Sequence, residues 1–539
     1  MNTKYFKLIC RFLFVISIPF FTMILCGNYD LFYIKFLLFI SFFCGIIVSR
    51  MILNDDFFDK INKKYLIIAI LFCLYGITFF AKYSGSGVIF LKNLLNNLFA
   101  MSLNINSIKM IVSLASLPSI ILLFYYFISK VIPFIVKEYC DLKKEEKLFL
   151  LVVAIFGFAF LALLYNKTDA FYYPHYNHDK LIIYNVIYTS DSGALIQNNA
   201  FMNIGMAEND IRQPLFGLFA FPFALIVNFV STFFSIIPNS YYILFGTLQM
   251  LLIALSFIFI EKMLNLSGKN KILFLILALF SYSSLLFSFV IEQYAIAFFY
   301  LILTIYCGYK SMYKINYTYI GAVGTLLTSG ILFPFISKFK NLKNWFYNVG
   351  KCFVVFILMM IITGQILLVF DLKDRINSLM TYSGVNLTFI DKLQQFLYFV
   401  RSCFITPNEQ IVSIDGSLRY YLIDIKFFSI IGSLILFICV ISFIINRKNR
   451  MALISFLWII FSFIILCLFG WGTQENGLIL YSLYFGWAYI VLVYLFIDKI
   501  IKNLKLKYFV IIIFCLMLII INFNGFYNMI KFCIEYYPK

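Results

Sequence analysis

Residues 427–469 read FFSIIGSLILFICVISFIINRKNRMALISFLWIIFSFIILCLF and contain two apolar runs joined by a basic turn. Each run is close to the roughly 20 residues that a helix needs to cross a hydrocarbon core of about 30 Å. Arg447, Lys448 and Arg450 lie between the runs, and such residues accumulate in loops that face the cytoplasm. The stretch therefore predicts two membrane-spanning helices joined by a cytoplasmic turn.

Similar apolar runs recur along the whole chain of 539 residues, of which 63% are hydrophobic and 12% charged. An ordinary soluble domain has roughly a quarter of charged residues. The mean hydropathy is +0.95. The pattern predicts an all-α, polytopic transmembrane helix bundle of about 13 spans, with short helices in its external loops. The predicted spans are residues 5–26, 31–49, 65–81, 108–136, 148–165, 241–260, 272–290, 294–309, 352–370, 427–446, 452–469, 479–497 and 508–525.

Two further apolar runs, residues 214–236 and 319–336, are interrupted by Pro or Gly residues. We expect each to form an interfacial or re-entrant pair of short helices, which is permitted where the backbone is buried in protein or lines a cavity. With this assignment the basic clusters fall on one side, which is predicted to be cytoplasmic. The external side then receives the segments 166–213, 288–293, 371–426 and 470–478.

The formal net charge of +19 does not indicate binding to nucleic acid, because the Lys and Arg residues lie in short clusters between apolar runs. Such placement follows the positive-inside rule and brings the clusters close to anionic headgroups. It predicts a multi-pass protein of the plasma membrane with an uncleaved first span and a cytoplasmic N-terminus. The many Ile, Asn, Lys and Phe residues are typical of an AT-rich bacterial genome.

The predicted external segment 166–213 is the longest polar segment in the first half of the chain and includes Asp191, Glu208, Asp210 and Arg212. Loops of this length are uncommon unless they are functional. Asp191 follows a Ser and precedes a helix-like stretch, so one interpretation is an N-terminal helix cap. The other is a general base acting on an acceptor hydroxyl, or a ligand of a metal that does so. Both interpretations stay open.

The same segment contains both histidines, in the sequence His175-Tyr-Asn-His178-Asp179. Two imidazoles and a carboxylate could in principle hold zinc. A spacing of three residues on an irregular loop is weakly diagnostic, so we favour a solvated loop and predict no resident metal there.

Three stretches resemble the GT-C superfamily of integral membrane glycosyltransferases, which includes the protein O-mannosyltransferases and the aminoarabinose transferases. The first is Asp191 followed by Arg212-Gln-Pro-Leu-Phe216, the second places Glu292 between two apolar runs, and the third runs from Gly321-Ala-Val-Gly324 to Pro334. Their order and predicted sidedness agree with that family. One departure is that a single Asp stands where the family commonly has paired acidic residues.

The resemblance implies a GT-C-like enzyme that moves a sugar from a polyprenyl-phosphate donor to a glycan, lipid or protein acceptor on the external face. Asp191 would be the catalytic residue, and Mg²⁺ or Mn²⁺ stays open as a cofactor. The implied substrate-binding residues are Arg212, Asp210, Glu208, Glu292, Glu475 and Arg401. For Glu292 and Glu475 the alternative is a residue of an ordinary polar turn, and for Arg212 it is an ion pair with Asp210 or Glu208.

By the same resemblance, residues 148–370 form the catalytic membrane core. Residues 1–147 are membrane helices of unassigned role, and residues 371–539 form the C-terminal membrane helices. Two other functions stay open, a transporter or flippase of a lipid-linked saccharide and a polysaccharide polymerase. Transporters usually bind substrate near the midplane between repeated halves, whereas here the acidic residues gather at one predicted face, which favours the enzyme.

Overall fold

The structure is a computed structural model. It describes residues 3–26, 30–53, 57–58, 61–82, 86–99, 104–173, 175–177, 182–188, 190, 201, 212–310, 315–336, 342–369, 373, 376–377, 380–414, 417–422, 427–474 and 477–539. Within these ranges ten helices are long and apolar enough to cross a membrane, or eleven if one bent pair counts as a single span. The prediction of an all-α, multi-pass membrane protein is therefore confirmed.

The first part of the chain is a series of apolar helices that ends at Tyr165. The longest helix has 36 residues, which corresponds to about 54 Å at 1.5 Å per residue. The side chain of Asn104 accepts a hydrogen bond from the backbone N–H of Asn106 and so caps its first turn. The helices are α1 Thr3–Leu25, α2 Leu31–Ile52, α3 Lys63–Lys82, α4 Ser86–Phe99, α5 Ile105–Cys140 and α6 Lys144–Tyr165.

The middle part begins with a short antiparallel hairpin, β1 His175–Asn177 and β2 Ile182–Tyr184. The helices that follow are α7 Phe216–Phe233, α8 Ser240–Leu264, α9 Gly268–Leu279, α10 Tyr282–Phe289, α11 Tyr294–Tyr309 and α12 Ile315–Thr325. A 3-10 turn, Leu327–Leu332, then leads to α13 Phe333–Ile336 and α14 Leu342–Ile362.

The C-terminal part adds one amphipathic helix, a second hairpin and four apolar helices. The elements are α15 Phe389–Ser402, β3 Glu409–Ile414, β4 Ser417–Leu422, α16 Ile430–Ile445, α17 Arg450–Ser462, α18 Ser482–Ile500 and α19 Leu504–Tyr536. Helix α17 continues as a π-helix over Phe463–Leu468. The largest fully buried side chains include Trp487, Tyr489 and Tyr494 of α18, so this helix lies at the centre of the bundle.

Two segments differ from the sequence-based expectation. The run 214–236 was predicted to be a pair of short helices, but it forms the single helix α7 with Pro222 inside. The prediction of a break at this proline was therefore wrong. A proline removes one backbone N–H, but it does not necessarily end a helix. The run 272–290 was predicted to be a single span, but it is broken into α9 and α10 by a bend of 61°.

We distinguish two ends of the bundle by their contacts. At the upper end the Tyr165 hydroxyl donates to the carbonyl of Phe289 at 2.6 Å, and Asn239 donates to the carbonyl of Tyr165 at 3.3 Å. At the lower end the Arg450 guanidinium donates to the carbonyls of Tyr309, at 3.2 Å, and Ile336. Helix α11 therefore descends from the upper to the lower end.

The segment 315–336 agrees with the predicted pair of short helices. Helix α12 begins six residues after Tyr309, and α13 ends at Ile336. The Arg450 guanidinium donates to the carbonyls of both Tyr309 and Ile336. Between them the ring of Tyr319 packs against that of Phe333, with centroids 4.4 Å apart. The chain thus turns back within the segment and returns to the lower end.

A sharp bend of 61° separates α9 from α10. The side chain of Asn522, in α19, donates to the carbonyls of Phe280 and Phe404, both at 2.8 Å, and its Oδ1 accepts from the backbone N–H of Thr406 at 2.8 Å. The N–H of Tyr282 donates to the Phe404 carbonyl at 3.0 Å. Backbone groups that a helix break releases must find partners inside a bilayer, and here Asn522 and residues 404–406 supply them.

We expect Asn522→Leu to lower the free energy of unfolding by about 2 to 4 kcal/mol, because it leaves buried backbone groups without partners. Thermal unfolding of the purified protein in detergent measures the effect. The matched control is Asn524→Leu, two residues along the same helix, where the side chain is exposed. Equal stability of the two variants would contradict this account of the bend.

Candidate functional site

Arg212 and Glu292, which are 80 positions apart in the chain, both lie near Tyr484 at the upper end of the bundle. Glu292 is fully buried between α10 and α11, whereas the Arg212 side chain is exposed. Gln213, next to Arg212, donates to the hydroxyl of Tyr484, near the start of α18, at 3.0 Å, and the ring of Tyr294, two residues after Glu292, lies 4.9 Å from the Tyr484 ring. Two of the six residues that the family resemblance implies as substrate-binding therefore lie around Tyr484, in a group that we call the Arg212 cluster (Arg212, Gln213, Glu292, Trp471 and Tyr484).

Backbone and amide contacts fix the acidic half of this cluster. The Oε2 of Glu292 accepts a hydrogen bond from the backbone N–H of Gln293 at 3.1 Å. The backbone carbonyl of Glu292 accepts from the side chain of Gln249, a buried residue of α8. Gln213 donates to the Tyr484 hydroxyl at 3.0 Å. These contacts hold the turn that carries Glu292, and the hydroxyl of Tyr484, in defined positions.

A tight turn presents Trp471 to Arg212. Gly470 and Gly472 flank the indole with φ values of +71° and +78°, a region that is readily available only to glycine. The Trp471 Nε1–H donates to the Tyr481 hydroxyl at 2.7 Å. The guanidinium of Arg212 lies over the indole ring, 5.7 Å from its centroid. Such a cation–π contact helps to fix the position of the guanidinium.

The Gly-rich segment 321–334 supports the backbone of Arg212 from below. The carbonyl of Arg212 accepts from the N–H of Leu327, and the N–H of Leu215 donates to the carbonyl of Gly324, both at 2.8 Å. A Cβ on Gly324 would lie 2.8 Å from the Cβ of Leu215, so only glycine allows this approach. The first and third stretches of the family resemblance are therefore in direct contact.

Among the residues that the structure describes, no other predicted site residue lies in the Arg212 cluster. Asp191, Glu208, Asp210 and Glu475 lie outside the described residues. Arg401 has its described contacts elsewhere. It donates to the carbonyl of Thr406 at 3.4 Å and to Asn408 at 3.3 Å, and it lies over the ring of Tyr398.

A second polar cluster, which the sequence did not predict, surrounds Glu409 at the start of β3. Tyr282 donates to its Oε1 at 2.9 Å and Tyr420 to its Oε2 at 2.7 Å, and the Tyr188 hydroxyl also donates to Oε1. We call these four residues the Glu409 cluster. The three tyrosines come from a loop, from α10 and from β4, so no spacing in the sequence indicates that they meet.

The Glu409 cluster borders a cavity of about 340 Å³, whose walls include Thr406, Asn524 and Asn528. Burial raises the pKa of Glu409 to about 7, although the hydrogen bonds from the tyrosines lower it. A carboxylate in this position can exchange a proton near neutral pH and can accept hydrogen bonds from a hydroxyl-bearing ligand.

The Glu409 cluster is linked to the loop that precedes Asp191. The N–H of Tyr188 donates to the carbonyl of Tyr420, and the N–H of Tyr420 donates to the carbonyl of Val186, both at 2.8 Å. These bonds attach the loop to β4. Helix α10 lies between the clusters, since Tyr282 is its first residue and Glu292 follows its last residue by three positions.

The zinc hypothesis receives no support from the described part of the loop. The Nε2 of His175 lies 2.7 Å from Asp169, whereas His178 and Asp179 are outside the described residues. Across the described ranges, no three His, Cys, Asp or Glu side chains are grouped so that they could hold a metal ion. The acidic positions that the family resemblance offers to Mg²⁺ or Mn²⁺ lie partly outside those ranges, and we derive no step through a metal.

We expect the stability of the wild-type protein relative to Glu409→Gln to fall as the pH rises from about 5 to about 8. The folded state raises the pKa of Glu409 above its ordinary value, so it binds the proton more tightly than the unfolded chain does, and this stabilisation disappears as the pH passes through the folded pKa. Melting temperatures of both proteins across this range measure the effect. The control is Asp391→Asn, at an exposed carboxylate whose pKa is lowered by hydrogen bonds from Thr388. If the difference in melting temperature between wild type and Glu409→Gln does not change with pH, the raised pKa of Glu409 is refuted.

The chain has no match among models of protein families, among curated proteins or among solved structures. The chemistry of the two clusters has to be inferred from their own residues. The Arg212 cluster offers a held cation beside a buried carboxylate, and the Glu409 cluster offers a proton-exchanging carboxylate beside a cavity.

Proposed function

We propose that this protein is a membrane glycosyltransferase that moves a sugar from a polyprenyl-phosphate donor to an acceptor at the upper, external end of the bundle. The observation that carries the proposal is that the chain near Arg212 and the chain near Glu292 both pack against Tyr484, with the Arg212 guanidinium over Trp471. Both residues were selected from the resemblance to the GT-C superfamily. A guanidinium suits phosphate oxygens because its N–H groups form paired hydrogen bonds with them.

An apolar path for the prenyl chain begins beside Arg212. Leu327, whose N–H binds the Arg212 carbonyl, is 39% exposed, and Ile331 and Phe335 are 48% and 44% exposed. These side chains lie on the segment that returns to the lower end. A donor with its phosphate on Arg212 can lay its tail along this surface within the hydrocarbon layer, where burial of apolar area is favourable.

In the proposed reaction Asp191 removes the proton from an acceptor hydroxyl, and the acceptor oxygen bonds to the anomeric carbon of the donor sugar. The bond between that carbon and the phosphate oxygen breaks, and the phosphate leaves with the electron pair. Arg212 stabilises the charge that develops on the leaving phosphate. Glu292 is fully buried, so its proposed contact with the acceptor or the sugar requires a movement of the turn between α10 and α11. Glu208, Asp210, Glu475 and Arg401 stay proposed substrate contacts.

Two other functions would use the same lipid-linked saccharides. A flippase would move the donor across the bilayer without forming a glycosidic bond or releasing polyprenyl phosphate. A polymerase would depend on arginines of its loops and not on Asp191. Product analysis of one reconstituted preparation distinguishes the three.

We expect Arg212→Gln to reduce sugar transfer roughly 10- to 100-fold, which is the range for losing one charge-assisted hydrogen bond to phosphate. The assay uses proteoliposomes supplied with a panel of undecaprenyl-phosphate sugars, and mass spectrometry quantifies the released undecaprenyl phosphate and the glycosylated product. Arg212→Lys, which keeps the charge but not the paired geometry, should retain more activity than Arg212→Gln. Unchanged transfer by Arg212→Gln would remove the phosphate role.

We expect Asp191→Asn to abolish transfer while undecaprenyl phosphate still stabilises the protein against heat, because the base acts on the acceptor and not on the donor phosphate. Donor binding is read from the shift in melting temperature with undecaprenyl phosphate. Asp391→Asn is the matched carboxylate control and should keep full activity. Full activity of Asp191→Asn would exclude Asp191 from catalysis.

A further inference from the structure

A cavity of about 560 Å³ opens at the lower end of the bundle, away from both upper clusters. Its walls come from the ends of α8, α11 and α18 and from the turn that joins α16 to α17. These are apolar helices, so the cavity lies at the level where hydrocarbon gives way to headgroups.

Four cations line this cavity, namely Arg447, Lys448, Arg450 and Lys499, and its lining includes no carboxylate. Arg450 is engaged, since its guanidinium donates to the carbonyls of Tyr309, Gly308 and Ile336. It thereby offsets the negative end of the α11 dipole.

The other three cations, Arg447, Lys448 and Lys499, are exposed and make no hydrogen bond or ion pair with any described residue. Like charges gathered at one cavity repel each other, and a bound anion removes that repulsion. Phosphate is the anion that suits an arginine fork beside lysine ammonium groups.

The rim of the cavity favours a lipid over a soluble anion. Ile445, which lines the cavity, is 40% exposed, and Ile444 and Ile500, which adjoin Ile445 and Lys499 in the chain, are 61% and 53% exposed. Apolar side chains at this level provide a surface for acyl chains, whereas a free phosphate ion would gain nothing from them. Anionic headgroups attract basic residues near the membrane surface with about 1 kcal/mol for each Lys or Arg.

We propose that this cavity is a binding site for the phosphate headgroup of an anionic phospholipid. The site is independent of sugar transfer, because it lies at the opposite end of the bundle from Arg212 and Glu292. Phosphatidylglycerol, with its net negative charge, therefore binds more tightly than the zwitterionic phosphatidylcholine.

The test compares the delipidated wild-type protein with the triple variant Arg447→Gln, Lys448→Gln and Lys499→Gln. These side chains are exposed and make no described contacts, so the variant should fold. Melting temperatures are measured in three conditions. Two of them use detergent micelles that contain phosphatidylglycerol or phosphatidylcholine, and the third uses micelles without phospholipid in a buffer with added inorganic phosphate. Phosphatidylglycerol should stabilise the wild type more than phosphatidylcholine does, and the triple variant should bind it more weakly, on the order of 100-fold.

The matched control is Lys502→Gln with Lys505→Gln, two exposed residues of the neighbouring basic turn that do not line the cavity. It should keep the response to phosphatidylglycerol. Equal stabilisation of wild type and triple variant would overturn the site. An equal loss of phosphatidylglycerol binding in the control would show that the lipid does not bind in this cavity. Full stabilisation by inorganic phosphate alone would show that the bound anion is not a lipid.

Discussion

The bend between α9 and α10 is the constraint on which the upper end of this protein depends. A chain inside a bilayer cannot turn by 61° unless the backbone groups at the break find partners within the protein. The side chain of Asn522 serves two carbonyls and one N–H at this point. One polar side chain in a long apolar helix thus allows a span to break in the right place.

The bend positions both polar clusters. Because α10 leaves the axis of α9, its first residue, Tyr282, reaches Glu409, and the turn after its last residue places Glu292 near Arg212 and Tyr484. Helix α10, with eight residues, runs between the Glu409 cluster and the Arg212 cluster, and its length is about 12 Å. The Phe404–Thr406 segment that satisfies the bend also leads directly into β3, which carries Glu409. The bend, the hairpin and the two carboxylates are therefore parts of one arrangement.

Much of the architecture could be predicted because its signals are local. Apolar runs of span length and basic turns follow from the physics of the bilayer, and the Gly and Pro residues of 319–336 correctly indicated short helices. The break expected at Pro222 was wrong, because neighbouring turns support a helix through one missing N–H. The association of Arg212 with Glu292 was suggested by the family resemblance and not by spacing.

Other features have no local signal. Asn522 is a single polar residue in a run that predicts only a span, and its partners are about 120 and 240 positions away. The Glu409 cluster joins tyrosines from three distant segments, and Tyr residues are frequent throughout the chain, which has 38 of them. Such sites depend on tertiary geometry alone.

We propose that the Arg212 cluster holds the phosphate of a polyprenyl-phosphate donor. The most direct measurement is a structure determined by electron cryo-microscopy in lipid nanodiscs with undecaprenyl phosphate added. The account predicts density for the phosphate against the Arg212 guanidinium and beside Trp471, with the prenyl chain along Leu327 and Ile331. Well-resolved phosphate density at any other position, with the Arg212 cluster empty, would contradict it.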